Sequence, residues 1–229
     1  SAKSGSSQLY AIPTAGGAPK QLSDFPLDVD AFKLSPDGQR VAFSAGAFAN
    51  CGTDLGCTRK QLDTKPKSSG VVFDHAFIRH WDTWNDGRLN RLFVAKLGDK
   101  AMLKSATLIG PDLIADVPSK PFGDLGDVAW SPDGDSLVVS ARLSNAQEPT
   151  STNFDLYQLA ADGSEAQARA LLARVNTEPA EVSDELLAQA SAVAEGTGDV
   201  ALRSYAFGAR SQAAYERRNF QEASDWSEK

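Results

Sequence analysis

The sequence predicts a partial β-propeller over residues 1–163, built from antiparallel four-stranded blades, and an α-helical hairpin segment over residues 164–229. Three observations lead to this prediction. Turn-forming residues are concentrated in the first part, a hairpin motif occurs there twice, and alternating strand patterns recur along it. Together they indicate short strands joined by tight turns, followed by helices.

The composition changes sharply near Gly163. Residues 1–163 contain 18 Asp, 1 Glu, 15 of the 18 Gly and 10 of the 11 Pro, whereas residues 164–229 contain 8 Glu, 3 Asp and 15 Ala. Asp bonds its local backbone, Gly adopts positive φ and Pro fixes φ, so these residues favour turns. Ala and Glu favour helices. We therefore expect a domain boundary between residues 163 and 164.

One segment of the first part is repeated. Residues 32–45, FKLSPDGQRVAFSA, return as residues 128–141, VAWSPDGDSLVVSA. In each Ser-Pro-Asp-Gly, Pro at the second position and Gly at the fourth suit a type I turn, and apolar alternation flanks the turn. Each copy therefore predicts a β-hairpin.

Alternating strands accompany the repeats at Gln8–Pro13, Leu92–Leu97 and Asp155–Ala160, each followed by a turn that contains Gly. Short strands at regular spacing are typical of a β-sandwich, barrel or propeller, and internal repetition favours the propeller. Hairpins scattered in another β fold are the alternative. At roughly 40–50 residues a blade, we expect an open arc of three or fewer recognisable blades.

Helix signals follow in the second part. A capping box of Ser164 and Gln167 predicts a helix over residues 168–175, and further helices are predicted after Pro179 and from Phe220 onward. One helix face is apolar and is expected to cover the last strands near Phe154 and Leu156, unless the helices form a separate lobe with few contacts across residue 163. This face consists of Val182, Leu186, Leu187, Ala190 and Val193.

The overall charge and hydropathy exclude two classes of partner. The net charge is −7 and the isoelectric point is about 4.9, so the surface repels phosphate backbones and we expect no nucleic-acid partner. No apolar run reaches the roughly 18 residues that a membrane-spanning helix needs. The chain starts at Ser1 without Met or a signal peptide and stops at Lys229 inside a predicted helix, so we expect that both ends are cut.

Three further strings resemble the S9 (prolyl oligopeptidase) family of serine peptidases, in its dipeptidyl-peptidase and acylaminoacyl-peptidase-like branch. They are FIRHWDTWNDG at residues 77–87, ADVPSKPFG at residues 115–123 and STNFDLY at residues 151–157. The Ser-Pro-Asp-Gly repeats likewise resemble the blades of TolB-like, WD40-like and peptidase propellers. The resemblance covers about residues 7–163. It implies a two-part enzyme in which a propeller sits over an α/β-hydrolase domain that carries Ser, Asp and His.

The residues of that hydrolase domain are not found in this sequence. A nucleophile elbow needs G-x-S-x-G on a strand-to-helix turn, and no such pentapeptide occurs. Ser136 follows Gly134 only as the exit of a repeat turn. The two histidines, His75 and His80, and the two cysteines match no zinc spacing. We therefore expect no catalytic residue, no metal and no cofactor in this chain.

The most distinctive polar and aromatic cluster lies in the first of the three strings: Arg79, His80, Trp81, Asp82, Trp84 and Asp86. Such a loop would line the central channel and meet a short peptide, with an Asp holding its N-terminal amine. Alternatively, the aromatic residues and Arg–Asp pairs fasten one blade to the next. His80 and Asp82 would share one face of a strand. Without an activated Ser, a structural role for His80 is favoured over a catalytic one.

Cys51 and Cys57 lie in a loop that Gly52 and Gly56 make pliable enough to close. The resemblance implies a periplasmic or secreted protein, and in an oxidising compartment a disulfide between the two is expected. In the cytosol both would be free thiols.

Two functions follow as hypotheses. The first is the non-catalytic propeller portion of an S9-type serine peptidase, which screens and positions short peptides while a missing domain hydrolyses them. The second is a non-enzymatic binding protein that joins propeller blades to a helical hairpin. Residues 213–223 loosely resemble a tetratricopeptide unit, so a protein partner at the helical segment belongs to this second hypothesis.

Overall fold

The computed structural model describes residues 1–64, 70, 72–73, 77–98, 102–144, 148–152, 154–164, 169–170, 187–188, 191–192, 195, 207, 210–211, 214 and 220–228. Among the described residues, twelve short strands and two α-helices, α1 (Leu55–Asp63) and α2 (Phe220–Ser227), have both ends described. In chain order the strands are β1 (Tyr10–Ala11), β2 (Lys20–Gln21), β3 (Ala31–Leu34), β4 (Arg40–Ala47), β5 (Arg79–His80), β6 (Thr83–Trp84), β7 (Leu89–Lys96), β8 (Thr107–Leu108), β9 (Val128–Trp130), β10 (Ser136–Ala141), β11 (Asp155–Ala160) and β12 (Arg169–Ala170).

The described strands form four small antiparallel sheets. The first four-stranded sheet has the order β3-β4-β7-β8 and the second has the order β9-β10-β11-β12, while β1-β2 and β5-β6 are two-stranded. The expectation of small antiparallel sheets is thus confirmed. These sheets form no closed ring within the described part of the chain. That the two larger sheets are propeller blades stays a prediction.

Both Ser-Pro-Asp-Gly segments form the predicted hairpins. In the first copy, Leu34 pairs with Val41 across the turn, and the Gly38 N–H donates to the Ser35 carbonyl at 2.9 Å. The Ser35 hydroxyl accepts the Arg40 N–H at 2.9 Å. The second copy repeats these bonds between residues 131 and 136, so the motif determines its own turn locally.

The central strands β4 and β7 of the first four-stranded sheet are buried on both faces. Val41, Phe43 and Ala45 of β4 belong to one apolar cluster, together with Leu9 and Phe25 from the N-terminal region. The intervening Ala42 lies in a second cluster, with residues of the second sheet such as Val128, Leu137 and Tyr157. Because alternate residues of a strand point to opposite faces, the N-terminal segment and the second sheet lie on opposite sides of the first sheet.

Polar contacts join the two four-stranded sheets at their edge strands β3 and β9. The Lys33 ammonium donates to the Val128 carbonyl at 2.6 Å, and the Trp130 indole N–H donates to the Lys33 carbonyl at 3.3 Å. The Arg40 guanidinium lies 5.4 Å from the centre of the Trp130 ring. The neighbouring hairpins are therefore fastened by cation–π and backbone contacts.

The loop after β4 contains a helix that the sequence did not predict. The Asp54 carboxylate accepts the Cys57 N–H at 3.0 Å and so caps the start of α1. Cys51 and Cys57 are joined by a disulfide, with their Cα atoms 5.6 Å apart. The Thr53 hydroxyl donates to the Ala106 carbonyl at 3.0 Å, which ties this loop to the segment before β8.

The start of the second part differs from the prediction. The prediction of a helix over residues 168–175 is wrong at its first residues. Arg169–Ala170 instead forms β12 and pairs with Tyr157 and Gln158 of β11. The reversal is made by Gly163, whose φ is 71°, and by Asp162, which accepts the Ser164 N–H at 2.8 Å. This turn supplies a fourth strand to an edge that would otherwise have unpaired backbone groups.

Among the helical residues, Leu187, Phe207, Ala214 and Ala223 are buried, and α2 begins at Phe220 as expected. Most of the predicted covering face, including Leu186 and Val193, lies outside the described residues, as do residues 171–186 and most of residues 213–223. The boundary at residue 163 and the tetratricopeptide-like hairpin stay predictions. None of the described helices is long and apolar enough to cross a membrane.

The two repeat turns predict an acid sensitivity. Hydrogen bonds from the Ser35 hydroxyl and the Gln39 N–H lower the pKa of Asp37, and the matching bonds from Ser131 and Asp135 lower the pKa of Asp133. A carboxyl group whose pKa is lower in the folded chain stabilises it above the unfolded pKa of about 3.9, and this contribution is lost as the pH falls through the folded pKa.

We expect the double variant Asp37→Asn/Asp133→Asn to be less stable than the parent at pH 7 and to lose less stability as the pH falls below about 4. Urea unfolding at a series of pH values measures both effects. Parallel pH profiles for the parent and the variant would contradict this expectation.

Candidate functional site

A set of polar and aromatic side chains lies at the strand ends opposite the Ser-Pro-Asp-Gly turns. In the second sheet, Asp127 precedes β9, Arg142 follows β10 and Phe154 precedes β11. Because neighbouring strands are antiparallel, these three residues lie at the same end of the sheet. Arg88, which precedes β7, lies at the corresponding end of the first sheet.

A cleft of about 480 Å³ opens at this end of the second sheet. Its volume lies within the range of small-molecule sites, roughly 300–1,000 Å³. Three loops and the strand ends contribute to it. It is lined by Phe77, His80, Ser119, Lys120, Pro121, Phe122, Gly123, Asp127, Arg142 and Phe154.

Arg142 occupies the wall of the cleft between two aromatic rings. Its guanidinium carbon lies 5.9 Å from the centre of the Phe77 ring and 5.4 Å from that of Phe154. It also forms an ion pair with Glu148 at 3.4 Å. The phenyl rings hold the guanidinium through cation–π contacts and restrict its orientation.

The loop opposite Arg142 is held by Asp127. The Asp127 carboxylate accepts the Ser119 N–H at 3.1 Å and the Ser119 hydroxyl at 3.0 Å. Gly123 donates its N–H to the Ser119 carbonyl at 2.7 Å, and a Cβ at Gly123 would overlap the Ser119 backbone. The close approach of these two backbones therefore requires glycine at this position.

A hairpin of β5 and β6 stands at the mouth of the cleft. Trp81 at its tip has a φ of 51°, a left-handed conformation that costs a residue with a Cβ about 1–2 kcal/mol. Trp81 is 74% exposed, and its ring contacts that of Phe122 edge to face with the ring centres 5.3 Å apart. Phe122 is itself 75% exposed. A strained backbone and two exposed aromatic rings at one place are typical of a binding surface.

Ion pairs hold the base of this hairpin. Asp86 pairs with Arg88 at 2.7 Å, and Lys120 pairs with Asp116 at 2.9 Å while donating to the Arg88 carbonyl at 2.8 Å. Burial raises the pKa of Asp86, but the hydrogen bonds from Arg88 outweigh it, so that the pKa lies below its ordinary value. Asp86 is therefore ionised at neutral pH and already bonded to Arg88.

The structure brings two of the predicted site residues to the cleft. His80 lines it, and Trp81 reaches it through Phe122. Arg79 and Asp82 lie on the hairpin outside the lining, and Trp84 stacks on Phe73 with the ring centres 6.0 Å apart. Contact of these residues with a substrate stays a prediction, and His75 lies outside the described residues.

The expectation that His80 and Asp82 lie on the same face of one strand is wrong. β5 ends at His80 and β6 begins at Thr83, so Asp82 lies in the turn between them. The left-handed Trp81 reverses the chain within two residues, which the alternation of a continuous strand does not allow for.

Sequence reasoning missed Arg142, Lys120 and Phe154 as site residues. A signal for two of them was present, because the string at residues 115–123 contains Lys120 and the string at residues 151–157 contains Phe154. Together with residues 77–87, these are the three strings that resemble one peptidase family, and all three contribute side chains to this cleft.

Comparison with known proteins gives several relatives that are described as dipeptidyl-peptidase 5. No protein-family model matches the chain. The chain is 28% identical over 157 residues to dipeptidyl-peptidase 5 of Porphyromonas endodontalis. The aligned region covers 67% of this chain and 21% of that protein. It is also 29% identical over 138 residues to dipeptidyl-peptidase 5 of Arthroderma otae, and this aligned region covers 58% of this chain and 19% of that protein.

A probable dipeptidyl-peptidase 5 of Aspergillus terreus is 31% identical over 130 residues, which cover 55% of this chain and 17% of that protein. The chain therefore spans about a fifth of the length of these curated relatives. The similarities, in a bacterium and in fungi, support a relationship of this region to S9-type peptidases.

Proposed function

We propose that this chain is part of the propeller portion of an S9-type serine peptidase and positions short peptides at the cleft between Trp81, Phe122 and Arg142. The observation that carries this proposal is the meeting of three separate segments, residues 77–87, 115–123 and 151–157, in one cleft. The similarity to dipeptidyl-peptidase 5 supports peptides as the ligand class.

The chemistry of the cleft suits a short peptide. The rings of Phe77, Phe122 and Phe154 offer apolar surface to a side chain, and the Arg142 guanidinium offers hydrogen-bond donors. Ligand sites of this size combine an apolar lining with a few polar groups that fix orientation. Peptide-bond cleavage is assigned to a hydrolase domain, because this sequence has no nucleophile elbow.

The absence of the elbow leads to a direct test. A serine-directed fluorophosphonate probe should leave this chain unlabelled, since labelling needs a Ser activated by a neighbouring base. Intact-mass spectrometry after incubation measures the labelling, with trypsin as the positive control. Stoichiometric labelling at any Ser would overturn the assignment of catalysis to another domain.

Positioning of peptides at the cleft is tested by photo-crosslinking. A tripeptide that carries a benzophenone side chain should attach to residues of the cleft and be displaced by the unlabelled peptide. Phe122→Ser should reduce the yield about 2- to 10-fold, because one aromatic contact contributes about 0.5–1.5 kcal/mol.

Ile12→Ser is the matched control, since Ile12 is an exposed apolar residue outside the cleft lining. Equal yields from the two variants, or attachment at residues remote from the cleft, would contradict the proposed function.

The disulfide supports a proposal about the compartment in which the protein is located. A bond between Cys51 and Cys57 persists where the surroundings are oxidising. We propose on this basis that the protein is periplasmic or secreted.

A further inference from the structure

The described residues accept hydrogen bonds from only some of the donors of Arg142. A guanidinium has five N–H groups. One terminal nitrogen of Arg142 lies 3.4 Å from the Ser151 carbonyl and the other lies 3.4 Å from Glu148, both at the long end of hydrogen bonding. The Nε atom is buried and has no acceptor among the described residues. The guanidinium therefore has capacity for a further acceptor.

The other charged groups of the cleft are already bonded within the protein. The Lys120 ammonium is bonded to Asp116 and to the Arg88 carbonyl. The Asp127 carboxylate is bonded to Ser119. Of the Glu148 oxygens, one accepts the Ser144 hydroxyl at 2.8 Å and the other faces Arg142. Incompletely used donors at Arg142 thus make the cleft suited to an anion rather than to a cation.

The two phenyl rings restrict how the Arg142 guanidinium is oriented towards an anion. Phe77 and Phe154 lie beside the guanidinium and limit its rotation. A planar guanidinium and a carboxylate match in two parallel hydrogen bonds, which an ammonium cannot form. The same rings offer apolar surface to the aliphatic or aromatic group that would bear the carboxylate.

We propose that Arg142 binds a carboxylate of a short peptide in this cleft. The inference rests on the proposed function, because it assumes that the cleft holds peptides. The carboxylate comes from the peptide C-terminus or from an acidic side chain, and both sources present the same planar group.

The test compares three peptides on the full 229-residue chain by isothermal titration. They are N-acetyl-Ala-Phe-Ala as the free acid, the same peptide as its C-terminal amide, and N-acetyl-Glu-Phe-Ala amide. The free acid should bind at least about 10-fold more tightly than the amide, as expected for a charge-assisted bidentate contact. Tight binding of the third peptide as well would assign acidic side chains to the site alongside the C-terminus.

Variants at the same position separate charge from geometry. Arg142→Gln should abolish the preference for the acid, and Arg142→Lys should retain only part of it, since Lys provides charge without the bidentate fork. Arg59→Gln is the control. It removes an exposed Arg that pairs with Asp63 outside the cleft and should leave the preference unchanged.

The outcomes distinguish this inference from the proposed function. Equal affinities for the acid and both amides, with Phe122→Ser weakening all three, would overturn carboxylate binding and leave peptide binding intact. Failure of every peptide to bind would overturn both. The comparison on the unaltered chain decides the question even if the Arg142 variants do not fold.

Discussion

Phe43→Ala is expected to lower the free energy of unfolding by about 3–5 kcal/mol, as full burial of a phenylalanine implies. Phe43 is completely buried in β4 of the first sheet. Its ring lies between those of Phe25 and Phe93, with centre-to-centre distances of 4.6 Å and 5.6 Å. Alanine would leave a cavity where three segments of the chain meet, and the surrounding strands cannot close it without losing their register.

Phe32→Ala is the matched control for this variant. Phe32 is the direct cross-strand partner of Phe43 on β3, yet it is 52% exposed. The same substitution one strand away should therefore cost much less, about 1 kcal/mol. Equilibrium unfolding in urea measures both variants. A loss below about 1 kcal/mol for Phe43→Ala would mean that this aromatic stack is not part of the core.

Gly163→Ala is expected to destabilise the chain by about 2–5 kcal/mol through two separate effects. The φ of Gly163 is 71°, a conformation that a residue with a Cβ adopts at a cost of about 1–2 kcal/mol. A Cβ there would also overlap the Thr107 side chain and lie 2.8 Å from the Leu108 carbonyl oxygen. Since this oxygen belongs to β8, the turn after β11 would have to move away from the first sheet.

Gly38→Ala isolates the first effect. Gly38 has a φ of 67° in the first Ser-Pro-Asp-Gly turn, and no atom lies within 4 Å of where its Cβ would be. The conformational cost is then the only one, about 1–2 kcal/mol. Thermal unfolding of the two variants side by side gives the difference. Equal losses would show that β8 does not press against Gly163.

The local hydrogen bonds of the repeats explain why the sequence predicts the hairpins correctly. Within each Ser-Pro-Asp-Gly turn the Ser hydroxyl and the Asp carboxylate bond backbone groups no more than five residues away. No distant part of the chain is needed to select this conformation. The predicted bounds of β11, Asp155–Ala160, are also those of the structure, because the alternation of its residues lies within the strand itself.

The family resemblance indicated three segments that line the cleft, but it did not indicate Arg142. Residues 77–87, 115–123 and 151–157 were singled out as strings, and the first of them was favoured because its Trp, Asp and Arg residues are chemically conspicuous. Arg142 lies outside all three strings and enters the cleft only because β10 ends beside Phe154. Proximity of this kind depends on strand pairing and cannot be obtained from residue types alone.

The sequence by itself determined the two repeat hairpins, the alternating strands and the change in composition near residue 163, because each depends on neighbours in the chain. Only the tertiary structure decided that Arg169–Ala170 joins the sheet as β12 rather than a helix, since the unpaired edge of β11 outweighs the helical preference of the alanines. It also decided that Trp81 turns the chain and meets Phe122, because that contact joins loops about 40 residues apart in sequence.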